Sequence, residues 1–120
     1  MQEINLDEKL SKFSEQWTPK IIAELNDQYI KLAKLEGEFV WHDHAKEDEL
    51  FVVLKGTLEM EFRDKTVRFG PGEILVVPKG VEHLPRTIGG EVHLMLIEPK
   101  STKHTGEVVD ERTVEKLEWI

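Results

Sequence analysis

Three features of the sequence predict an all-β domain of the sandwich or barrel type. Short apolar or alternating runs recur about every eight to twelve residues, and Gly, Pro or an Asn/Asp pair closes each run. After Lys20 no helix-length period interrupts them. At 120 residues the chain suffices for one domain and is short of two. Its 39% apolar fraction can furnish one core, and its 33% charged fraction can cover it.

Residues 4–17 place Ile4, Leu6, Leu10, Phe13 and Trp17 at spacings near three and four. This predicts a short amphipathic helix, capped by Asn5 or Asp7 and closed by Thr18-Pro19. The arm 1–18 is thus expected to be a helical lid on the core. Strands are expected at 21–25 and 29–35, around the turn pair Asn26-Asp27, and at 39–44 beyond Gly37. Runs 50–55 and 57–63 flank Gly56, and in the second Leu58, Met60 and Phe62 alternate with Glu59 and Glu61. Run 67–69 leads into Gly70-Pro71-Gly72. Runs 74–77, 83–88 and 92–98 follow, separated by Pro78-Lys79-Gly80 and Gly89-Gly90. The tail 99–120 begins polar and ends on Val108, Val109, Val114, Leu117, Trp119 and Ile120. An apolar terminus of this kind docks on its own barrel or on a second subunit.

Composition removes several classes of function. There are no cysteines, so thiolate ligands, disulfides, Cys nucleophiles and thiol redox chemistry are excluded. Any metal site must use His, carboxylate, carbonyl or water. A formal charge of −8, with no clustered Lys/Arg face, disfavours nucleic acid as a partner. The N-terminal MQEINLDEKL lacks the apolar segment of a secretory signal, and the longest apolar run, 74–78, is far below the roughly 18 residues that span a bilayer. The expectation is a soluble cytoplasmic protein without a membrane partner.

His42 and His44 are two apart, and on a strand residues two apart share a face. Paired histidines also occur on solvated faces, so this pair alone is a weak signal. Glu49 returns across a short polar turn and heads the apolar run 50–55, where an unpartnered buried carboxylate would be very costly. His83 follows the Pro78-x-Gly80 turn on an apolar background. Three imidazoles and one carboxylate suit Fe, Mn, Zn, Ni or Co.

The stretch GEFVWHDHAKEDELFVVLKG (37–56) resembles the first motif of the cupin superfamily, and GEILVVPKGVEH (72–83) resembles the second. Within that superfamily it resembles small single-domain chains of the mannose-6-phosphate-isomerase-like type. There are two departures. Four residues rather than the usual five separate Gly37 from His42, and Thr87 stands where the second motif continues to an Asn. The resemblance implies a single jelly-roll β-barrel over residues 1–120, with one divalent metal at its mouth held by His42, His44, Glu49 and His83. It also implies a homodimer.

If His42 and His44 face inward, strand parity turns Val40 inward and Phe39, Trp41 and Asp43 outward. Phe51 and Val53 follow Glu49 inward, and Leu58, Met60 and Phe62 share the apolar parity. The cavity is therefore expected to be mainly apolar, suiting a small organic ligand with one or two oxygens for the metal. His93, in the apolar run 92–97, is a candidate base or an ordinary hydrogen-bonded barrel histidine. Arg86 is a candidate anion partner or a surface salt bridge, and Tyr29 a candidate donor or a packing residue. Four protein ligands leave room for further ligands on the metal, as catalytic sites do. A metal-dependent enzyme of the dioxygenase, isomerase or lyase type is expected, with a non-enzymatic binding or sensing protein as the alternative.

Overall fold

The computed structural model describes residues 1–103 and 116–120. His104, Val108, Val109 and Val114 lie outside the described residues. One short helix, α1 (Leu6–Leu10), precedes six strands: β1 (Lys20–Leu25), β2 (Gln28–Leu35), β3 (Glu49–Phe62), β4 (Thr66–Phe69), β5 (Ile74–Val77) and β6 (His83–Pro99). All pairs are antiparallel, in the order β1-β2-β6-β3-β4, with β5 on β3. The sheet curls around its core in jelly-roll fashion without closing on itself.

Two long strands make the curl. The second half of β6 (92–99) pairs with β2 and with the start of β3, while its first half pairs with the end of β3. Runs 50–55 and 57–63, expected as two strands, are therefore one, and 83–88 and 92–98 are also one. The glycines between them bend a strand instead of ending it. At Gly56 the register slips and φ is +85°. A Cβ there would lie 2.7 Å from the Glu91 carbonyl oxygen, so only glycine lets β3 bend against β6.

Alternation places the core. Ala33, Leu35, Phe51, Val53, Leu58, Met60, Val92, Leu94 and Leu96 are buried inside the curl. Leu10, Phe13, Ile22 and Leu32 form a second layer on the outside of the sheet, beneath α1.

Three expectations are corrected. The helix covers five residues rather than most of 4–17. Asn5 caps it, accepting from Glu8 N at 2.9 Å. Tertiary hydrogen bonds then pull the chain out of the helical path: Trp17 N donates to Lys34 O, Trp17 Nε1 donates to Glu36 O, and Lys34 Nζ donates to Phe13 O. Trp17 turns the chain with φ +56°. Residues 39–44 are not a strand; they hang on β6 through isolated bridges at Glu38–Arg86 and His42–His83. In this irregular stretch strict parity fails, so Phe39 is buried where Val40 was expected to be. The C-terminus, expected on its own barrel or on a second subunit, lies on its own chain: Ile21 N donates to Glu118 O, Ile120 N to Ile21 O, and Lys9 Nζ to Ile120 O.

Candidate metal centre

Backbone hydrogen bonds aim the four candidate ligands at one point. His42 and His83 exchange backbone bonds, Gly80 N donates to His44 O at 2.8 Å, and Asp48 Oδ1 accepts from Lys79 N at 2.8 Å. The two turns that carry the histidines are thereby stitched together. Glu49, the first residue of β3, lies beside Val77 of β5, and His83, the first of β6, lies opposite Phe62 at the far end of the β3–β6 ladder; the bend of both long strands brings them together. Thr87 has a related duty: its hydroxyl accepts from Gly37 N at 2.8 Å, tying β6 to the glycine that opens the His42 segment.

One donor atom from each of His42, His44, Glu49 and His83 lies within 4.8 Å of the others, and all four residues are buried. Glu49 Oε1 is 3.3 Å from His44 Nε2 and 3.5 Å from His83 Nε2. Bonds of about 2.1 Å to a shared metal put neighbouring donors about 3.0–3.4 Å apart, which is close to this spacing. His42 Nδ1 is 2.9 Å from Val40 O and His83 Nδ1 is 2.9 Å from Val81 O. A proton on each Nδ1 leaves each Nε2 lone pair directed at the cluster. His44 Nε2, His83 Nε2 and Glu49 Oε1 are fully buried without a hydrogen-bond partner among the described residues. Buried polar atoms rarely go unpaired, and a cation is the partner that satisfies all three. The residues present fit a divalent metal.

The electrostatics agree. Burial and the neighbouring His83 lower the His42 pKa to about 4, so the ring is neutral and a lone-pair donor at ordinary pH. Burial opposes charge on His44, but the Glu49 carboxylate, with Glu47 and Asp43, outweighs it and raises its pKa. Burial likewise opposes charge on Glu49, yet contacts from Glu98, His44 and His83 hold its pKa well below the usual carboxylate range.

A cavity opens beside the cluster, walled by Trp17, Ala33, Phe51, Pro85 and Leu94 among others, with His42 and Glu49 as its polar residues. The expected apolar character is therefore present, and the N-terminal arm contributes to the wall through Trp17 and Pro19. Trp17 stacks on Phe39 at 4.7 Å, and Phe39 meets the His42 ring edge-on at 5.6 Å.

The other candidates lie elsewhere. His93 has outward parity between buried Val92 and Leu94, and its Nε2 is 2.8 Å from Glu91 Oε1. Arg86 is spent on Glu59, Glu61 and Glu38 at 2.9, 3.0 and 3.3 Å. Tyr29 sits opposite Glu98 on the β2–β6 ladder, but its ring packs edge-on to Trp119 at 5.8 Å. None of the three is a wall of the cavity beside the cluster. Sequence reasoning missed Trp17, Phe39, Lys31 and Glu98. For Glu98 the signal was available, since Val92, Leu94, Leu96 and Glu98 follow one another with period two.

A curled antiparallel sheet that buries three histidines and a glutamate together is a small jelly-roll-like domain with a cluster able to hold a metal ion. The chain belongs to the cupin family: the Cupin domain model matches residues 28–99. The crystal structure of a cupin-2 domain containing protein from Shewanella frigidimarina NCIMB 400 is 50% identical, covering 81% of this chain and 94% of that one, with a TM-score of 0.79. Protein NMB1881 from Neisseria meningitidis is 34% identical over 82% of this chain and 100% of that one, with a TM-score of 0.75. The uncharacterized protein YdbB of Bacillus subtilis (strain 168) is 42% identical over 74 residues, 61% of this chain and 66% of that protein. That match spans just under two thirds of the relative's length.

Proposed function

We propose that this protein is a metal-dependent enzyme acting on a small oxygenated organic molecule with an apolar body. The observation that carries this is the cavity wall: its polar residues, His42 and Glu49, both belong to the metal cluster, and the other walls are apolar. A ligand there places its oxygen on the centre and its carbon skeleton against Phe51, Leu94 and Trp17. The bound divalent metal (Fe, Mn, Zn, Ni or Co) supplies Lewis-acid polarisation, or dioxygen chemistry where it is iron. His42, His44, Glu49 and His83 hold it and leave room for the substrate, while Trp17 and Pro19 exclude water from the cavity.

Sugar phosphates fit poorly. Arg86, the cation nearest in sequence to His83, is bound to three carboxylates on the outer face, and no Lys or Arg is a wall of the cavity. Elemental analysis of the protein as isolated should find about one divalent metal per chain. With that metal loaded, oxygen uptake is measured against diketones, catechols and thiols. Turnover without oxygen uptake points to isomerase or lyase chemistry. Saturable binding without turnover favours the alternative, a binding or sensing module. We also propose a homodimer, supported by Ile74 and Val76, 62% and 54% exposed side by side on β5. Light scattering tests it.

A further inference from the structure

Next to the metal centre the curl buries two more charged side chains that the reading above does not use. Lys31 is 1% exposed and Glu98 0%. Lys31 Nζ donates to Glu98 Oε1 at 2.8 Å. Neither residue is a wall of the cavity, so neither is placed to touch a substrate. Burying an ion pair is costly, and apolar residues of similar volume serve a core at least as well. The pair therefore needs a local reason.

Its position supplies one. Leu50 lies opposite Ile97 in the β3–β6 register, so Glu49 and Glu98 are the next neighbours on the ladder, both on the inner face. Tyr29 lies opposite Glu98 on β2, and Lys31 follows it two residues on, with the same inward parity. Lys31, Glu98 and Glu49 thus share one face of three adjacent strands, with Glu49 beside Glu98 and Lys31 diagonal to it, opposite Leu96. Glu98 stands next to Glu49 on the same face of adjacent strands, and Glu98 Oε2 is fully buried with no hydrogen-bond partner among the described residues. Glu49 Oε1, by contrast, faces His44 and His83. Glu98 is consequently the buried acidic side chain that the ladder places next to Glu49 and that is not itself one of the four candidate ligands.

We propose that Glu98, itself held by Lys31, is a positioning residue that orients the Glu49 carboxylate toward the metal. The proposal rests on the metal reading of the four-residue centre. Groups that orient a metal ligand from behind typically change metal affinity by about 10–100-fold when removed.

The test uses Co(II) on the full chain, with affinity from chelator competition and geometry from the visible absorption bands. Removing Glu98 alone strands Lys31, so the informative variant is the double replacement Lys31→Met with Glu98→Leu, which keeps the volume and the apolar match. Its metal-free thermal midpoint should be at or above wild type, while its Co(II) affinity falls about 10–100-fold and its absorption bands change. Glu98→Gln should keep nearly wild-type affinity and bands, because the amide can accept from Lys31 and donate to Glu49. A double variant with wild-type affinity and bands, beside a wild type that binds Co(II), overturns the positioning role and leaves the metal centre standing. If the double variant fails to fold, the double replacement Lys31→Met with Glu98→Met decides: lowered Co(II) affinity with altered bands supports the proposal, and wild-type affinity and bands overturn it. A wild type that takes up no Co(II) overturns the centre and this inference together.

Discussion

The backbones of His42 and His83 exchange both hydrogen bonds, N to O at 3.1 and 2.9 Å, and their rings lie 4.2 Å apart between centroids. They lie 41 positions apart in the chain, yet they form one antiparallel pair whose two side chains meet in the cluster. Because main chain makes the link, removing either ring leaves it intact. His83→Ala should therefore abolish tight metal uptake and cost the metal-free protein no more than about 2 kcal/mol. Metal content after gel filtration and denaturant unfolding of the stripped protein measure the two effects separately. Collapse of the fold would indicate a structural role for the ring.

Acid should weaken the metal-free protein through His42. Its folded pKa is about 4, below its unfolded value of 6.5, because burial and His83 disfavour the charged ring. Between those values the unfolded chain binds more protons, so the contribution is complete above pH 6.5 and is lost as pH falls toward 4. Its size is about 3 kcal/mol. His44 acts in the opposite sense: its pKa is raised, so its contribution is complete at low pH and is lost as pH rises through the folded value. Denaturant unfolding across this window should show a shallower pH slope for His42→Gln than for wild type. Equal slopes would contradict the assignment.

Gly56 should not accept a side chain. With φ at +85° and a Cβ position 2.7 Å from a backbone oxygen, Gly56→Ala needs the β3–β6 pairing itself to give way. A loss of about 2–3 kcal/mol is expected, read as a lower denaturant midpoint at unchanged slope. Gly72 has a similar φ of +82° but nothing within 4 Å, so Gly72→Ala should cost about 1 kcal/mol and serves as the control.

Trp17 should control access to the centre. Trp17→Ala removes the stack on Phe39, a loss of about 1 kcal/mol beyond the lost burial, and opens the wall that the N-terminal arm contributes. Release of bound metal to a chelator should accelerate, while affinity changes less than in His83→Ala. Unchanged release kinetics would show that the cavity opens elsewhere.

Much of this protein was legible because local chemistry is periodic. Alternation along Leu58, Met60 and Phe62, and the Gly and Pro that punctuate the runs, predict strands and turns from one residue to the next. The motif spacings around His42, His44, Glu49 and His83 likewise carry the candidate centre in short segments. Ladder pairing and packing between distant segments decided the rest. Gly56 and Gly89-Gly90 look like strand ends until β3 and β6 pair along their whole lengths and bend there together. Arg86 and His93 look available until the ladder turns them outward onto Glu59 and Glu91. Trp17 reads as the last turn of a helix until Lys34 O and Glu36 O claim its two N–H groups. The strand class and the four candidate donors could be read along the chain, because each is written in short contiguous segments. Which charges share the interior, and that Lys31 and Glu98 stand beside Glu49, was settled by packing in three dimensions, because that depends on register between strands far apart in the chain.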